Sequence, residues 1–196
     1  MIPINKIPIL ARMIRMLEGY VDTVVVVTGY REELVLEYCQ IHFRDVVIAR
    51  NPDFATTNTA QSLSIGGRFV SGKTIFLDGD LLLERKSLDR FFKLGQSSEL
   101  MLGVSRAKTD QPVYADCHGD DLEYLTIKGF SRENPTPYEW ANLFVGPNDV
   151  MDGAGSFVFE KLAENLPLQA ASIEVEEVDT PQDMARAEAT VKGWEA

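Results

Sequence analysis

Asp78 and Asp80 follow the apolar run Thr74-Ile75-Phe76-Leu77 and flank Gly79, whose missing side chain lets the backbone bend close to a ligand. Asp179 follows the run Ile173–Val178 and directly precedes a helix-start pattern. In an open α/β sheet, ligands gather at the carboxyl ends of strands. A Mg²⁺ ion takes one or two protein carboxylates there and fills its remaining positions with water and substrate phosphates. Asp80 and Asp179 meet that requirement if their two strand ends are neighbours. The same residues also read as a tight turn and a helix-cap neighbour, and position alone leaves both readings open.

Other side chains could recognise a ligand. Thr57-Asn58-Thr59 with Ser62 opens a helix; Asn58 carries both donors and acceptors, and the helix N-terminus favours negative charge. An ordinary N-cap explains Thr59 equally well. Tyr138-Glu139-Trp140 could wall in a quaternary ammonium group through cation–π contact, or could simply pin a loop to the body. Lys128 on its own reads as a solvated lysine.

Composition narrows the classes. The 196 residues are 45% apolar and 25% charged, the balance of an ordinary globular chain, and the length suits one domain spanning 1–196. Nineteen basic against 30 acidic residues give a net charge of −11, which repels phosphate backbones and argues against a nucleic-acid partner. Any anionic substrate then needs a metal or a local cation. Cys39 and Cys117 form no CxxC pair or disulfide framework, and His42 and His118 are isolated. No stretch approaches the ~18 apolar residues of a membrane span, and the first residues lack a signal-peptide pattern. The expectation is a cytoplasmic protein with no membrane partner.

These side chains need a frame. A helix from Pro8 presents Ile9, Leu10, Met13, Ile14 and Leu17 on one face and ends at Gly19. Thr23–Thr28 is a continuous β-branched run, which predicts a strand buried on both faces. A short helix over Glu32–Tyr38, a strand over Val46–Ala49, a helix carrying Leu63, Ile65 and Phe69, and the strand Thr74–Leu77 follow. A helix over Leu88–Leu94 and a strand over Leu100–Val104 complete a βαβ-type alternation. Val113–Cys117 and Leu122–Ile127 predict a hairpin about His118–Asp121. Residues 129–153, rich in Pro, Gly and Asn, read as a long surface loop, of the kind that more often carries function than not in a compact domain. Ser156–Phe159 and Ile173–Val178 are predicted strands, and Thr180-Pro181-Gln182-Asp183 starts a last helix to about Lys192.

Taken in order, Pro3-Ile4-Asn5 with Pro8-Ile9-Leu10, Val25-Val26-Val27-Thr28-Gly29-Tyr30, Asn51-Pro52 with Thr57-Asn58-Thr59, Leu77-Asp78-Gly79-Asp80 and Glu177-Val178-Asp179-Thr180-Pro181-Gln182-Asp183 resemble the Rossmann-like nucleotidyltransferases. That superfamily includes sugar-1-phosphate nucleotidylyltransferases and choline-phosphate cytidylyltransferases. The Asn-Thr segment with Ser62-Leu63 looks most like the cytidylyltransferases. The resemblance implies an α/β fold: a three-layer α/β/α sheet, mostly parallel, with an antiparallel hairpin in its second half. It implies Mg²⁺ on Asp80 and Asp179, a nucleotide pocket lined by Asn58, Thr59 and Ser62 beside Asp78, and Lys128 near the phosphates. Relatives begin with a strand, a Gly-rich phosphate loop, an Arg and a Pro-Lys pair, and this sequence opens just after the place of that segment: either the start lies further upstream or the chain is a shortened, impaired relative. The resemblance also makes residues 129–153 an acceptor-side loop. Their first strand lies mid-sheet, so its loss is expected to leave a gap between central strands and to impair nucleotide binding and turnover.

The activity this implies is transfer of a nucleotidyl group, with CTP the favoured donor, to a small phosphorylated alcohol such as phosphocholine, releasing pyrophosphate. A sugar-1-phosphate acceptor and a non-catalytic nucleotide-binding relative stand beside it. An aspartyl-phosphate phosphatase also uses two Asp at a strand end. It expects them on the first strand with Thr or Val two residues beyond, where this chain has Leu82.

Overall fold

A computed structural model describes residues 1–155 and 157–194. It begins with a small antiparallel hairpin, β1 (Pro3–Ile4) and β2 (Ile7–Pro8), turned by left-handed Asn5 and Lys6. Pro8 hands the chain to α1 (Ile9–Leu17), which buries Ile9, Ala11, Met13, Ile14 and Leu17 on the predicted face. β3 (Val25–Thr28), α2 (Glu32–His42) and β4 (Val47–Arg50) form one parallel βαβ unit, with Val26 opposite Ile48.

Next come α3 (Thr59–Gly67), β5 (Lys73–Leu77), β6 (Leu81–Leu83), α4 (Arg85–Ser97) and β7 (Met101–Arg106). The hairpin of β8 (Tyr114–His118) and β9 (Leu125–Ser131) leads into β10 (Tyr138–Pro147). The chain finishes through α5 (Val158–Ala163), β11 (Leu168–Ser172), β12 (Val175–Glu177) and α6 (Pro181–Trp194).

Six strands make the central sheet in the order β5-β10-β7-β11-β9-β8. Side chains alternate between its faces. One face carries Leu102, Val104, Phe144 and Ala170 against Ala60 of α3 and Val158 and Leu162 of α5. The other carries Met101, Leu143, Val145 and Ala171 against Leu88 and Phe91 of α4. A third cluster, including Ile9, Met13, Leu82, Val178 and Ala187, ties α1, β6 and α6 together.

The layering is the expected α/β/α arrangement, but the pairing is mixed. Among the described residues, parallel ladders are confined to β3–β4 and β7–β11; the other pairings are antiparallel. The source of the difference is β10. Residues 129–153 read as a surface loop because Pro135, Pro137, Gly146 and Pro147 surround the apolar core of the segment. Trp140, Ala141, Leu143, Phe144 and Val145 are instead buried, and the strand lies between β5 and β7, antiparallel to both. Of the strand predicted over Ser156–Phe159, Ser156 lies outside the described residues, and Val158 and Phe159 open α5. The run Ile173–Val178 contracts to β12, and β11 before it takes the central parallel position.

No ladder joins β3 to β5. The interval is spanned by α3, whose Gly66 lies against the Val27 side chain while Gly67 lies against Asn148 and Phe76. Val25, Val26 and Val27 are only half-buried, less than a strand flanked on both sides would be.

Candidate active site

The antiparallel pairing of β12 with β6 sets Glu177 opposite Leu81, so the start of one strand meets the end of the other. Asp80 and Asp179 thereby become neighbours, and Val178 N–H donates to the Asp80 carbonyl at 3.2 Å. Asp80, Glu177 and Asp179 each offer a carboxylate oxygen within 4.8 Å of the others'. Asp78 joins the group through its backbone N–H, which donates to the Asn142 carbonyl at 3.2 Å.

The cluster is electrostatically crowded. Burial, then the charges of Asp80, Glu177 and Asp179, push the Asp78 carboxyl up to about 7. Burial and the charges of Asp80, Asp179 and Glu139 push Glu177 up to about 7, against an opposing hydrogen bond from Asn142. Burial likewise raises Asp80. One carboxylate oxygen on each of Asp78 and Asp80 is buried without a hydrogen-bond partner. Buried unpartnered oxygens on crowded carboxylates are what a divalent cation would satisfy, and an all-oxygen donor set suits Mg²⁺. The donor set fits the ion.

Above the carboxylates opens a cleft of about 1100 Å³. One wall carries Asn51, Phe54, Thr57, Asn58, Thr59 and Ser62. Buried Asn51 braces it, donating from Nδ2 to Thr57 Oγ1 at 3.0 Å and Ser62 Oγ at 3.1 Å. The structure therefore gathers Asn58, Thr59, Ser62, Asp78 and Asp179 around one cleft.

Other expected residues fall elsewhere. Lys128 is exposed on β9 and is not among the residues lining the cleft, which Arg132 just past the end of the same strand does reach. The cations that do line it are Lys108, Arg132 and Arg186. Lys108 donates to Glu176 at 2.9 Å and to the Val175 carbonyl at 2.6 Å, and Arg186 reaches the same buried Glu176 at 2.8 Å. Of Tyr138-Glu139-Trp140, only Trp140 lines the cleft. Tyr138 lies under Arg106. Glu139 is buried and holds the 107–112 loop, accepting from Lys108 N–H at 3.2 Å and from Thr109 N–H and Oγ1 at 3.3 and 2.7 Å. A carboxylate already engaged by three donors is not a free wall for an ammonium group.

At the mouth, Thr180 caps α6 by accepting from Asp183 N–H at 3.2 Å, and Asp183 in return accepts from Thr180 N–H at 2.9 Å and Thr180 Oγ1 at 2.8 Å, which holds its carboxyl below the usual range. That cap fixes the backbone on which Asp179 stands.

No protein-family model matches the chain. It is 28% identical, over 73% of its length, to a CMP-5'-(3-aminopropyl)phosphonate synthase of Streptomyces rubellomurinus. It is 22% identical over 89% of its length to the bifunctional protein GlmU of Methanococcus vannielii. The chain spans 24% and 40% of the lengths of those two relatives. Among solved structures it matches the inositol-1-phosphate CTP transferase of T. maritima with a TM-score of 0.75 at 15% identity, over 99% of this chain and 86% of that one. It matches the CTP:phosphocholine cytidylyltransferase LicC of Streptococcus pneumoniae with a TM-score of 0.70 at 15% identity, over 96% of this chain and 87% of that one. The fold is that of the Rossmann-like nucleotidyltransferases. Among the described residues no helix is long and apolar enough to cross a membrane.

Proposed function

We propose that this chain carries the active site of a nucleotidyltransferase, moving a cytidylyl group from CTP to a small phosphorylated or phosphonylated acceptor. The observation that carries the reading is the convergence of Asp80, Glu177 and Asp179 under a cleft, in this fold. CTP is the favoured donor because the printed names of the phosphonate synthase, the inositol-1-phosphate CTP transferase and LicC involve CMP or CTP.

An oxygen of the acceptor's phosphate attacks the α-phosphorus in line; a new P–O bond forms, the α–β P–O bond breaks, and pyrophosphate leaves with both electrons of that bond. A divalent cation on Asp80, Asp179 and Glu177 would supply charge neutralisation for the phosphates. Asn58 with Thr59 and Ser62 holds the base end. Lys108 and Arg186, fixed by Glu176, oppose negative charge along the cleft. No covalent intermediate on the protein is required, so positioning is the chain's main contribution. The two free thiols, Cys39 and Cys117, support a reducing, cytoplasmic setting.

The test is pyrophosphate release from the chain with CTP, Mg²⁺ and an acceptor panel that starts with phosphocholine and a sugar-1-phosphate. Asp80→Asn and Asp179→Asn should each abolish release. Undiminished turnover in the double variant would refute the carboxylate assignment.

A further inference from the structure

Arg132 differs from the other cations of the cleft. Lys108 and Arg186 are both tied to Glu176, and Arg186 also to Asp183. Arg132 meets no carboxylate among the described residues, in a chain with 30 acidic side chains. Its guanidinium instead lies 4.6 Å from the centre of the Phe157 ring and 5.3 Å from that of Phe159. Those two rings stack on each other at 5.9 Å and 16°. An arginine seated on aromatic faces is oriented while its N–H groups stay available, and that planar fork matches a carboxylate or a phosphate. Arg132, Phe157 and Phe159 all line the cleft.

The shelf stands away from the carboxylates. Ser131 pairs with Tyr114 of β8, and Tyr114 pairs with Glu139 of β10. Arg132 is thus two strand spacings, roughly 10 Å, from the strand whose Asn142 meets Glu177. A group bound on Arg132 belongs to the end of the acceptor remote from the reacting phosphate.

We infer that Arg132, held on the Phe157–Phe159 shelf, is a specificity residue for a second anionic group, carboxylate or phosphate, at the far end of the acceptor. The inference rests on the nucleotidyl-transfer reading and narrows its acceptor. Phosphocholine becomes a poor fit, because its ammonium would meet a guanidinium already occupying the aromatic faces.

The test is equilibrium binding to the full chain, followed by intrinsic tryptophan fluorescence, to which the cleft-lining Trp140 contributes beside Trp194, and checked by calorimetry. The probes are phosphogluconate, sorbitol phosphate, a hexitol bisphosphate and phosphocholine. Phosphogluconate and sorbitol phosphate are matched in length and differ chiefly in the terminal carboxylate; the bisphosphate separates a phosphate preference from a carboxylate one. Phosphogluconate or the bisphosphate should bind ~10-fold or more tighter than sorbitol phosphate. Arg132→Gln should erase that ratio without lowering the melting temperature, and Phe157→Ala should reduce it. Equal binding of the matched pair, or a preference that survives Arg132→Gln, overturns the inference. A parallel titration with CTP and Mg²⁺ keeps the two readings apart. Failure to bind CTP counts against nucleotidyl transfer, whereas the Arg132-dependent ratio is read without it.

Discussion

Asn142 donates its side-chain amide to the Glu177 carboxylate at 2.9 Å from a backbone held at φ 54°, inside the irregular stretch of β10. Asn tolerates that left-handed conformation better than most residues, and Gly adopts it freely. Asn142→Ala loses the bond and keeps the strain, and should cost ~1–3 kcal/mol. Asn142→Gly loses the bond but relieves the strain, and should be less harmful by about 1 kcal/mol. Urea unfolding of the two variants decides it; equal losses would mean that the backbone stores no strain there.

The crowding around Asp78 predicts a gain on substitution. Without divalent cations, Asp78→Asn removes one of four mutually repelling carboxylates. The melting temperature should rise by ~2–4 °C, on the order of 1 kcal/mol. Mg²⁺ should stabilise the unaltered chain, and Asp80→Asn or Asp179→Asn should cancel that effect. Thermal scans in chelator and in millimolar Mg²⁺ measure both. A wild-type melting temperature indifferent to Mg²⁺ would contradict the ion site.

Glu139 predicts a loop that comes loose. Glu139→Ala leaves the Lys108 and Thr109 N–H groups without their acceptor, at a cost of ~2–4 kcal/mol. Guanidinium unfolding reads the loss. Trypsin should then cut after Lys108 faster than in the unaltered chain, and an unchanged cleavage rate would show that the loop has another anchor.

Cys117 should be a sluggish nucleophile. Burial and the neighbouring Asp116 push its thiol up to about 12. The thiolate is the reactive form, so alkylation near pH 8 should run ~10³-fold slower than for an ordinary exposed cysteine. With the pKa raised, the rate should keep climbing through about pH 10. Iodoacetamide labelling read by mass spectrometry tests this, and a plateau near pH 9 would count against it.

Much of the frame is legible in residue order. The spacing from Ile9 to Leu17 marks α1, the β-branched run marks β3, and Thr180 with Asp183 marks the start of α6. Asp80 and Asp179 are readable because Asp-Gly-Asp and Asp-Thr-Pro interrupt strand-like runs. Glu177 was within reach as well, since residues two apart on a strand share a face. Three leucines, Leu81–Leu83, carry no strand signature of their own, and β6 exists only because β12 returns from far along the chain to pair with it. Lys108 and Arg132 are loop and strand-end cations without local signal. Their placement follows from Glu176, Glu139 and the two phenylalanines, which tertiary structure alone brings near.

The separation of β3–β4 from β5 bears on how the molecule breathes. The βαβ unit is fastened to the body through α3 and side-chain packing, with no hydrogen-bonded ladder to the main sheet. Such a unit can open as its own cooperative block, below the free energy of global unfolding. Asn51 lies directly after β4, and the stretch from it to Ser62 forms the cleft wall that carries Asn58. Amide hydrogens of Val25–Thr28 and Val47–Arg50 should therefore exchange together and earlier than those of β7 and β10. A ligand lodged against Asn58 should slow that exchange, because closing the block and filling the wall are one event.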